Sequence, residues 1–497
     1  MTAATLDAYD SLLDRYERAT YIGDAAGVLS WDQEVMMPEG GTPARSKQTA
    51  ALSGARHDIL TSDAFEADLE AAEASDLDDE QAAVVREIRR EFDRAAKVPK
   101  ELVERISEET SNALPVWEEA KAEDDWATFA PQVETLLELK REYATHIDPD
   151  ADTYEVLFAD YEPWLDLSTA ETVLEQLRDA LIPLIDDVNA SDADLATPFD
   201  GEYPDDDQFA LAESTLDYLG YPDDHGRLDT APHPFSSGTQ FDARVTTRFD
   251  TDDPVGAIGS IVHEFGHATY TLGLPQDEYG TPLGQNRGLT VHESQSRLWE
   301  NHVGRSEPFL SSYVDAVNDD LGTTVSGREL YEAANQVYPE NLIRVEADEL
   351  TYHMHIILRF EIERDLLSGD LDVADVPEAW NAKMEEYLGV TPATDAEGCL
   401  QDIHWAHGSF GYFPTYSLGS VLAAQLFEAA ESDIDGLDAQ LAAGEFDALH
   451  EWLTDEIHQH GARYTTNDLV RKATGEAFSA DAFIDYATEK FTALYGL

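Results

Sequence analysis

The segment from Ile258 to Gly273, IGSIVHEFGHATYTLG, contains the most informative spacing in the chain. His263 and His267 are four positions apart, so on a helix their side chains share one face and can both reach a single zinc ion. Glu264 lies next to them, where it can accept a proton from a water molecule at the metal. Two unrelated histidines on a surface helix would show the same spacing, so the motif needs support from the rest of the chain.

A catalytic zinc site of this kind needs a third protein ligand and one open position. A loop rich in glycine and proline follows the first motif, and a second helix is predicted to begin near Thr290. Glu293 lies on that helix, at a distance from His267 that allows one loop and a returning helix. The spacing favours Glu293 as the third ligand and leaves His292 and His302 as alternatives.

The elements that must position these side chains are mainly helical. Amphipathic acidic patterns predict helices over residues 79–96, 100–121, 126–146 and 167–188. The composition changes near Gly226, and residues 241–249 alternate with a period of two, which predicts a strand. An edge strand beside the metal would pair with an extended peptide, and the alternative is a small structural hairpin.

The charge of the chain is extreme, with 103 Asp and Glu residues against 31 Lys and Arg residues and a net charge of −72. Such a surface repels nucleic acid and anionic membranes, so neither is expected as a partner. The acids are spread along the whole chain. One alternative is that they form an ordinary solvated surface. We expect instead a halophilic surface, which depends on molar salt to screen the repulsion between the acids to a range of about 3 Å.

Length and composition also limit the class of protein. The chain has 497 residues and many aromatic side chains, enough for a large core, and no apolar run long enough to span a bilayer. Its N-terminal residues have neither the basic nor the apolar region of a secretory signal. The single cysteine, Cys399, excludes an internal disulfide. We therefore expect a cytoplasmic location.

Six motifs in chain order resemble those of the M32 family of metallocarboxypeptidases, the carboxypeptidase Taq family. The resemblance covers essentially the whole chain, and the departure from the family lies in the surface charge. The motifs are His233-Pro234-Phe235, Asp242-x-Arg244-x-Thr246, His263 to His267, His292-Glu293-Ser294-x-Ser296-Arg297, Ile343-Arg344-x-x-Ala347-Asp348 and Gly398-x-x-Gln401-Asp402-x-His404-Trp405.

The resemblance implies a mostly α fold, an elongated helical peptidase with a deep central cleft, similar to neurolysin-type and angiotensin-converting-enzyme-type peptidases. A small β-sheet is expected beside the zinc helix. Residues 1–497 would form one peptidase unit, in which residues 1–225 make a helical half forming one cleft wall and residues 226–497 make the catalytic half. The resemblance also implies a homodimer.

For function, the resemblance implies a zinc-dependent metallocarboxypeptidase that releases single amino acids from free peptide C-termini, with broad specificity but poor activity for proline. It implies His263, His267 and Glu293 as ligands of one Zn²⁺ per chain, which Co²⁺ can replace, and Glu264 as the general base. The rival hypotheses are an endo-acting oligopeptidase on the same scaffold and a catalytically silent acidic scaffold protein.

Two further roles need side chains outside the zinc motif. Similarity to the neurolysin-type pattern makes His407 and Tyr412 the expected donors to the oxyanion, with Tyr416 in reserve. The peptide's terminal carboxylate is best bound by a forked guanidinium, for which Arg344 is the first candidate and Arg244 the second. The alternative is that these arginines form buried structural ion pairs, Arg344 with Asp348 and Arg244 with Asp242. Likewise, the aromatic segment 398–416 is either part of the site or a core cluster.

Overall fold

The structure, a computed structural model, describes residues 3–338 and 342–497. Helices dominate it, and three strands form one small sheet. The helices are α1 Ala3–Val35, α2 Thr42–Leu60, α3 Asp63–Glu73, α4 Asp79–Lys97, α5 Lys100–Glu123, α6 Trp126–Ile147, α7 Thr153–Tyr161, α8 Leu167–Ala190, α9 Asp205–Leu219, α10 Pro254–Gly273, α11 Leu289–Arg297, α12 Glu307–Leu321, α13 Gly327–Ala334, α14 Thr351–Ser368, α15 Val376–Leu388, α16 Pro414–Asp433, α17 Leu437–Ala442, α18 Asp447–Glu456, α19 Thr466–Thr474 and α20 Asp481–Tyr495. The strands are β1 Gly226–Thr230, β2 Ser236–Thr239 and β3 Asp242–Thr247.

The mostly helical class is confirmed, with the small sheet packed against α10, the helix that carries the metal motif. The four helices predicted in the first half correspond to α4, α5, α6 and α8. Among the described residues, no helix combines the length and apolar character that crossing a bilayer requires. The division of the chain at residue 225 stays a prediction.

The sheet corrects one expectation. Its strand order is β1-β3-β2, with β1 parallel and β2 antiparallel to β3, so β3 is the central strand and both of its edges are occupied. It cannot add a peptide strand, and the hairpin alternative describes it better. Thr246 of this strand is buried, and its hydroxyl donates to the carbonyl of Phe235 and accepts from the amide of Phe235.

The interior is divided into large apolar clusters that share one helix. Leu418, Val421 and Ala424 of α16 pack into the cluster built on α5 to α8, α14, α15 and α20. Leu422 and Leu426 of the same helix pack into the cluster built on α9 to α13 and α17 to α19. Because α16 is buried on both faces, it has no amphipathic pattern, and it serves as the internal support for both halves of the core.

Helix α10 lies at the centre of the second cluster. Asp253 caps its N-terminus by accepting the amide of Gly256 at 2.9 Å, and Pro254 occupies its first turn. Gly266 lies between the two motif histidines and touches α11 directly. A Cβ atom at this position would lie 2.6 Å from the carbonyl oxygen of Gln295 and 2.6 Å from the Cα of Ser296. The two helices therefore approach backbone to backbone at this glycine.

We expect Gly266→Ala to destabilise the protein because its methyl group must push α11 away from α10. The matched control is Gly259→Ala on the same helix, where a Cβ would meet only Arg305 Nη2 at 3.9 Å. Both variants gain the helix propensity of alanine, about 1 kcal/mol. The difference between their free energies of unfolding therefore measures the cost of the steric overlap at Gly266. Chemical denaturation should show Gly266→Ala to be less stable than the control by about 1–3 kcal/mol. Equal stabilities would contradict the proposed backbone contact.

Candidate active site

Helices α10 and α11 bring together two imidazoles and one carboxylate. The Oε2 atom of Glu293 lies 3.8 Å from Nε2 of His263 and 3.5 Å from Nε2 of His267. The three ligand atoms all lie within 4.8 Å of one another. Tetrahedral zinc with bonds of about 2.0–2.1 Å needs ligand atoms roughly 3.3 Å apart. The side chains therefore have the types and nearly the spacing that a zinc ion requires.

Glu293 is held in this orientation from two sides. Arg297, one turn along α11, donates from Nε to Oε1 of Glu293 at 2.8 Å, which leaves Oε2 facing the histidines. Gly419 of α16 lies against the other side, so close that a Cβ there would overlap the Glu293 side chain. Burial alone would raise the pKa of Glu293, but Arg297 and the two histidines outweigh it and hold the pKa well below its usual range.

A second carboxylate orients the first histidine. Glu300 Oε2 lies 2.9 Å from Nδ1 of His263, and Arg297 and Arg305 donate to the same carboxylate at 3.1 and 2.9 Å. A carboxylate behind a ligating histidine fixes the ring and its tautomer. Glu300 lies in a π-helical turn, Leu298–Gly304, that continues from α11 where an α-helix was predicted.

Glu264 is only 5% exposed and lies between the ligands in sequence. Its Oε2 atom is buried and has no hydrogen-bond partner among the described residues. Burial raises its pKa, and the two neighbouring histidines only partly oppose that rise. A carboxylate with a free oxygen and a raised pKa beside a metal site has the properties of a general base.

The two alternative ligands lie outside the group. The ring of His292 stacks on that of His267, with centroids 4.3 Å apart, and burial holds the pKa of His292 well below its ordinary value. His302 is packed between Phe427 and Tyr486, with ring centroids at 5.0 and 4.2 Å, and burial lowers its pKa to about 3. Of the acids and histidines in the described residues, only His263, His267 and Glu293 form a group close enough to share a metal ion.

Arg344 forms a buried ion pair, but its partner is not the expected Asp348. It donates from Nε and Nη2 to Oδ1 of Asp402 at 3.0 and 2.8 Å. Asp348 instead accepts from the amide and hydroxyl of Thr351, at 3.0 and 2.7 Å. Asp402 belongs to the last of the six motifs, so a residue distant along the chain, rather than one on the same turn, orients the guanidinium.

Arg244 lies on β3, facing α1. It forms the expected ion pair with Asp242, with Nη2 2.6 Å from Oδ2, and its guanidinium lies 4.3 Å from the ring centroid of Trp31. The structural alternative therefore describes the contacts of Arg244.

The two expected oxyanion donors have different environments. His407 is exposed, whereas Tyr412 is partly buried, with its ring 5.3 Å from that of Tyr416 and 5.5 Å from that of His404. Tyr416 is also in contact with Arg344, whose guanidinium lies 5.3 Å from its ring centroid. The structure therefore brings the two tyrosines together near the arginine.

Comparison with known proteins identifies the family. The sequence model of the family described as "Carboxypeptidase Taq (M32) metallopeptidase" matches residues 11–491. The chain is 38% identical to thermostable carboxypeptidase 1 of Thermus thermophilus, over 98% of this chain and 99% of that protein. It is 36% identical to carboxypeptidase 1 of Bacillus subtilis, over 97% of each.

The chain belongs to the M32 family of metallopeptidases. The M32 carboxypeptidase of Deinococcus radiodurans has the same fold, with a TM-score of 0.94 at 36% identity over 99% of this chain and 100% of that one. As an M32 protein, this chain is a metallocarboxypeptidase, a hydrolase that acts on peptides with the help of a metal ion.

Two side chains of this M32 site, Glu300 and Tyr352, were not named from the sequence, and Arg297 was named only as part of a motif, with no role assigned to it. Arg297 and Glu300 lie four and seven residues after Glu293, spacings that place residues on one helical face and that the sequence already showed. Tyr352 gave no such signal. It accepts from Nη1 of Arg344 at 3.2 Å, and the guanidinium of Arg297 lies 5.1 Å from its ring. Tyr352 thus connects Arg344 with the arginine that holds Glu293.

We expect Glu300→Gln to weaken metal binding by 10- to 100-fold, because His263 loses its charged acceptor. Chelator competition would measure the affinity. Glu349→Gln is the matched control: Glu349 is a buried acid that pairs with Lys490 at 2.6 Å, away from His263. Both substitutions should lower stability, but only Glu300→Gln should alter metal affinity. Equal affinities in the two variants would show that Glu300 does not support the metal ligand.

Proposed function

We propose that this M32 enzyme is zinc-dependent and releases single amino acids from free peptide C-termini, with broad specificity and poor activity for proline. The observation that carries the proposal is the convergence of His263, His267 and Glu293 beside the buried Glu264. Two imidazoles and one carboxylate are a usual ligand set of catalytic zinc, and Co²⁺ is proposed to replace zinc on the same three ligands.

A zinc ion bound there supplies Lewis acidity, which polarises the substrate carbonyl and lowers the pKa of a nearby water. Glu264 is proposed to take the proton from the attacking water through its free Oε2 atom and to pass it to the leaving amine. The burial of Glu264 favours this role, because it raises the pKa of the carboxyl and so makes the carboxylate a stronger base.

We propose Tyr412 and His407 as hydrogen-bond donors to the oxyanion of the reacting carbonyl, and Tyr416 as the alternative donor. Burial raises the pKa of both tyrosines, so each keeps its proton and can donate it in a hydrogen bond. His407 is exposed and therefore accessible to a peptide. The contacts of Tyr416 with Arg344 favour a role for that tyrosine nearer the carboxylate than the carbonyl.

Arg344 is proposed to bind the terminal carboxylate of the peptide, with Arg244 as the second candidate. A forked guanidinium in a fixed position matches the geometry of a carboxylate. Asp402 fixes the guanidinium of Arg344 by accepting from Nη2, and the hydroxyl of Tyr352 accepts from Nη1. Such an anchor favours the carboxypeptidase over an endo-acting oligopeptidase, which has no need to recognise a free C-terminus. The intact set of ligands and base argues against a silent scaffold protein.

A time course of peptide cleavage with added zinc tests this proposal. One peptide is supplied with a free C-terminus and, separately, with an amidated one, and mass spectrometry follows the products. We expect stepwise loss of single residues from the free peptide only. Glu264→Gln should retain zinc and lose roughly 10²-fold or more of the rate. Equal internal cleavage of both peptides would favour the oligopeptidase, and full activity of Glu264→Gln would contradict the mechanism.

We also propose that the protein is halophilic. Buried acids such as Glu293 and Glu300 are paired with arginines, whereas many others lie exposed in clusters, for example Asp205, Asp206 and Asp207 at the start of α9. The net charge of −72 is therefore a surface property. In molar salt the repulsion between these acids is screened within about 3 Å, whereas at 0.1 M it extends over about 10 Å.

Dialysis from molar salt to about 0.1 M should therefore unfold the protein or inactivate it, because the surface acids repel one another over a longer range. Circular dichroism and peptidase activity, measured in parallel, provide the test. Full retention of both at low salt would contradict a halophilic adaptation and leave an ordinary solvated acidic surface.

Two further features complete the proposal. A homodimer is supported by the family resemblance, and sedimentation at the mass of a single chain would contradict it. A cytoplasmic location is supported by the single cysteine, and recovery of the protein outside the cell would contradict it.

A further inference from the structure

The carboxylate of Asp402 lies between two guanidinium groups. Its Oδ1 atom accepts from Arg344 at 3.0 and 2.8 Å, and its Oδ2 atom accepts from Nε of Arg359 at 2.6 Å. Arg359 lies on α14 and is 0% exposed, and Arg344 is also buried. The single carboxylate of Asp402 is therefore shared by two buried arginines.

The charges of these three groups do not cancel. Among the described residues, two arginines and one aspartate leave an excess of one positive charge in this buried cluster, which is unfavourable unless an anion joins it. Burial lowers the pKa of Arg359 only to about 10, so it remains charged at neutral pH. His404 adds no charge, because burial lowers its pKa to about 4.

The neighbouring acid Glu363 offsets this excess only in part. Its carboxylate accepts from Trp405 Nε1 at 2.9 Å and from the amide of Gly411 at 3.0 Å, not from Arg359. Burial raises the pKa of Glu363 to about 7, so it is partly protonated at neutral pH. The cluster therefore keeps the capacity to bind one more carboxylate.

We propose that Arg359 is a positioning residue for the terminal carboxylate of the substrate, acting through Asp402 on Arg344. Because Arg359 engages Oδ2, Asp402 neutralises Arg344 only partly, and the substrate carboxylate supplies the missing negative charge. This inference rests on the proposed role of Arg344 as the anchor.

The surroundings of Arg359 show why it acts indirectly. Its Nη1 atom donates to the carbonyl of His355 at 2.6 Å, and its guanidinium lies 4.4 Å from the ring centroid of Trp380. The ring of Phe413 packs against both guanidiniums, at 5.5 Å from that of Arg359 and 5.9 Å from that of Arg344. These contacts enclose Arg359, which is fully buried, so it does not touch a bound peptide directly.

The test uses the neutral variants Arg359→Met and Arg359→Gln and the charged variant Arg359→Lys in the zinc-loaded enzyme. We expect the neutral variants to raise KM for a free peptide roughly tenfold, equivalent to about 1.4 kcal/mol, with kcat within about twofold. The inhibition constant of a free amino acid, a product that carries the same carboxylate, should rise equally. Arg359→Lys should restore most of both values, because it restores the charge.

Arg141→Met is the matched control. Arg141 also supports α14, but it donates to the backbone carbonyls of Leu366 and Leu367 at the other end of the helix. It should lower thermal stability without changing KM or the inhibition constant.

Three results would overturn the inference: wild-type KM and inhibition constants in the neutral variants, equal effects of lysine and methionine, or failure of both neutral variants to fold. Arg344→Met separates this inference from the proposed function. If Arg344→Met leaves the discrimination between free and amidated peptides unchanged, the anchor itself is wrong. If it abolishes that discrimination while the neutral Arg359 variants behave as wild type, only the role of Arg359 is wrong.

Discussion

The site depends on close contact between helix backbones. Gly266 lets α10 touch α11, and Gly419 lets α16 lie against Glu293 from the opposite side. Without side chains at these two positions, the carboxylate on α11 reaches the imidazoles on α10. Helix α16 is buried between the two largest apolar clusters. The position of Glu293 therefore depends on the packing of both clusters around α16.

A continuous set of buried charges extends from the proposed metal ligands to the proposed carboxylate anchor. Arg297 holds Glu293 and Glu300 and lies over the ring of Tyr352, which in turn accepts from Arg344. Asp402 and Arg359 complete the series. Such groups are costly to bury singly, so each is acceptable only because its neighbours carry compensating charge or hydrogen bonds. Within this series, positive charge is in excess only at Asp402, which pairs with both Arg344 and Arg359.

Much of this could be predicted from the sequence. The helical periods of the first half and the spacing of His263, His267 and Glu293 depend on local geometry, which a sequence displays directly. The central position of β3 could not be predicted, because strand order depends on contacts between separate segments. The partner of Arg344 was misassigned for the same reason: Asp348 is near in sequence, whereas Asp402 is near in space.

Arg359 and Tyr352 carried no motif signal, since their partners Asp402 and Arg344 lie on other segments and are known only from the folded chain. The sequence does show that Glu300 has a helical spacing from Glu293. Its role could be recognised only once the structure placed its carboxylate beside His263. The residues of this site could therefore be predicted mainly where they lie on one helix or on two helices that follow each other along the chain. The supporting contacts come from segments that meet only in the folded chain.

The most direct test of the account is anomalous diffraction at the zinc edge from crystals of the zinc-loaded protein. The account predicts one peak per chain, bonded to Nε2 of His263, Nε2 of His267 and a carboxylate oxygen of Glu293 at about 2.0–2.2 Å. A peak bonded to His292 or His302 in place of Glu293 would contradict it, as would the absence of a peak between α10 and α11.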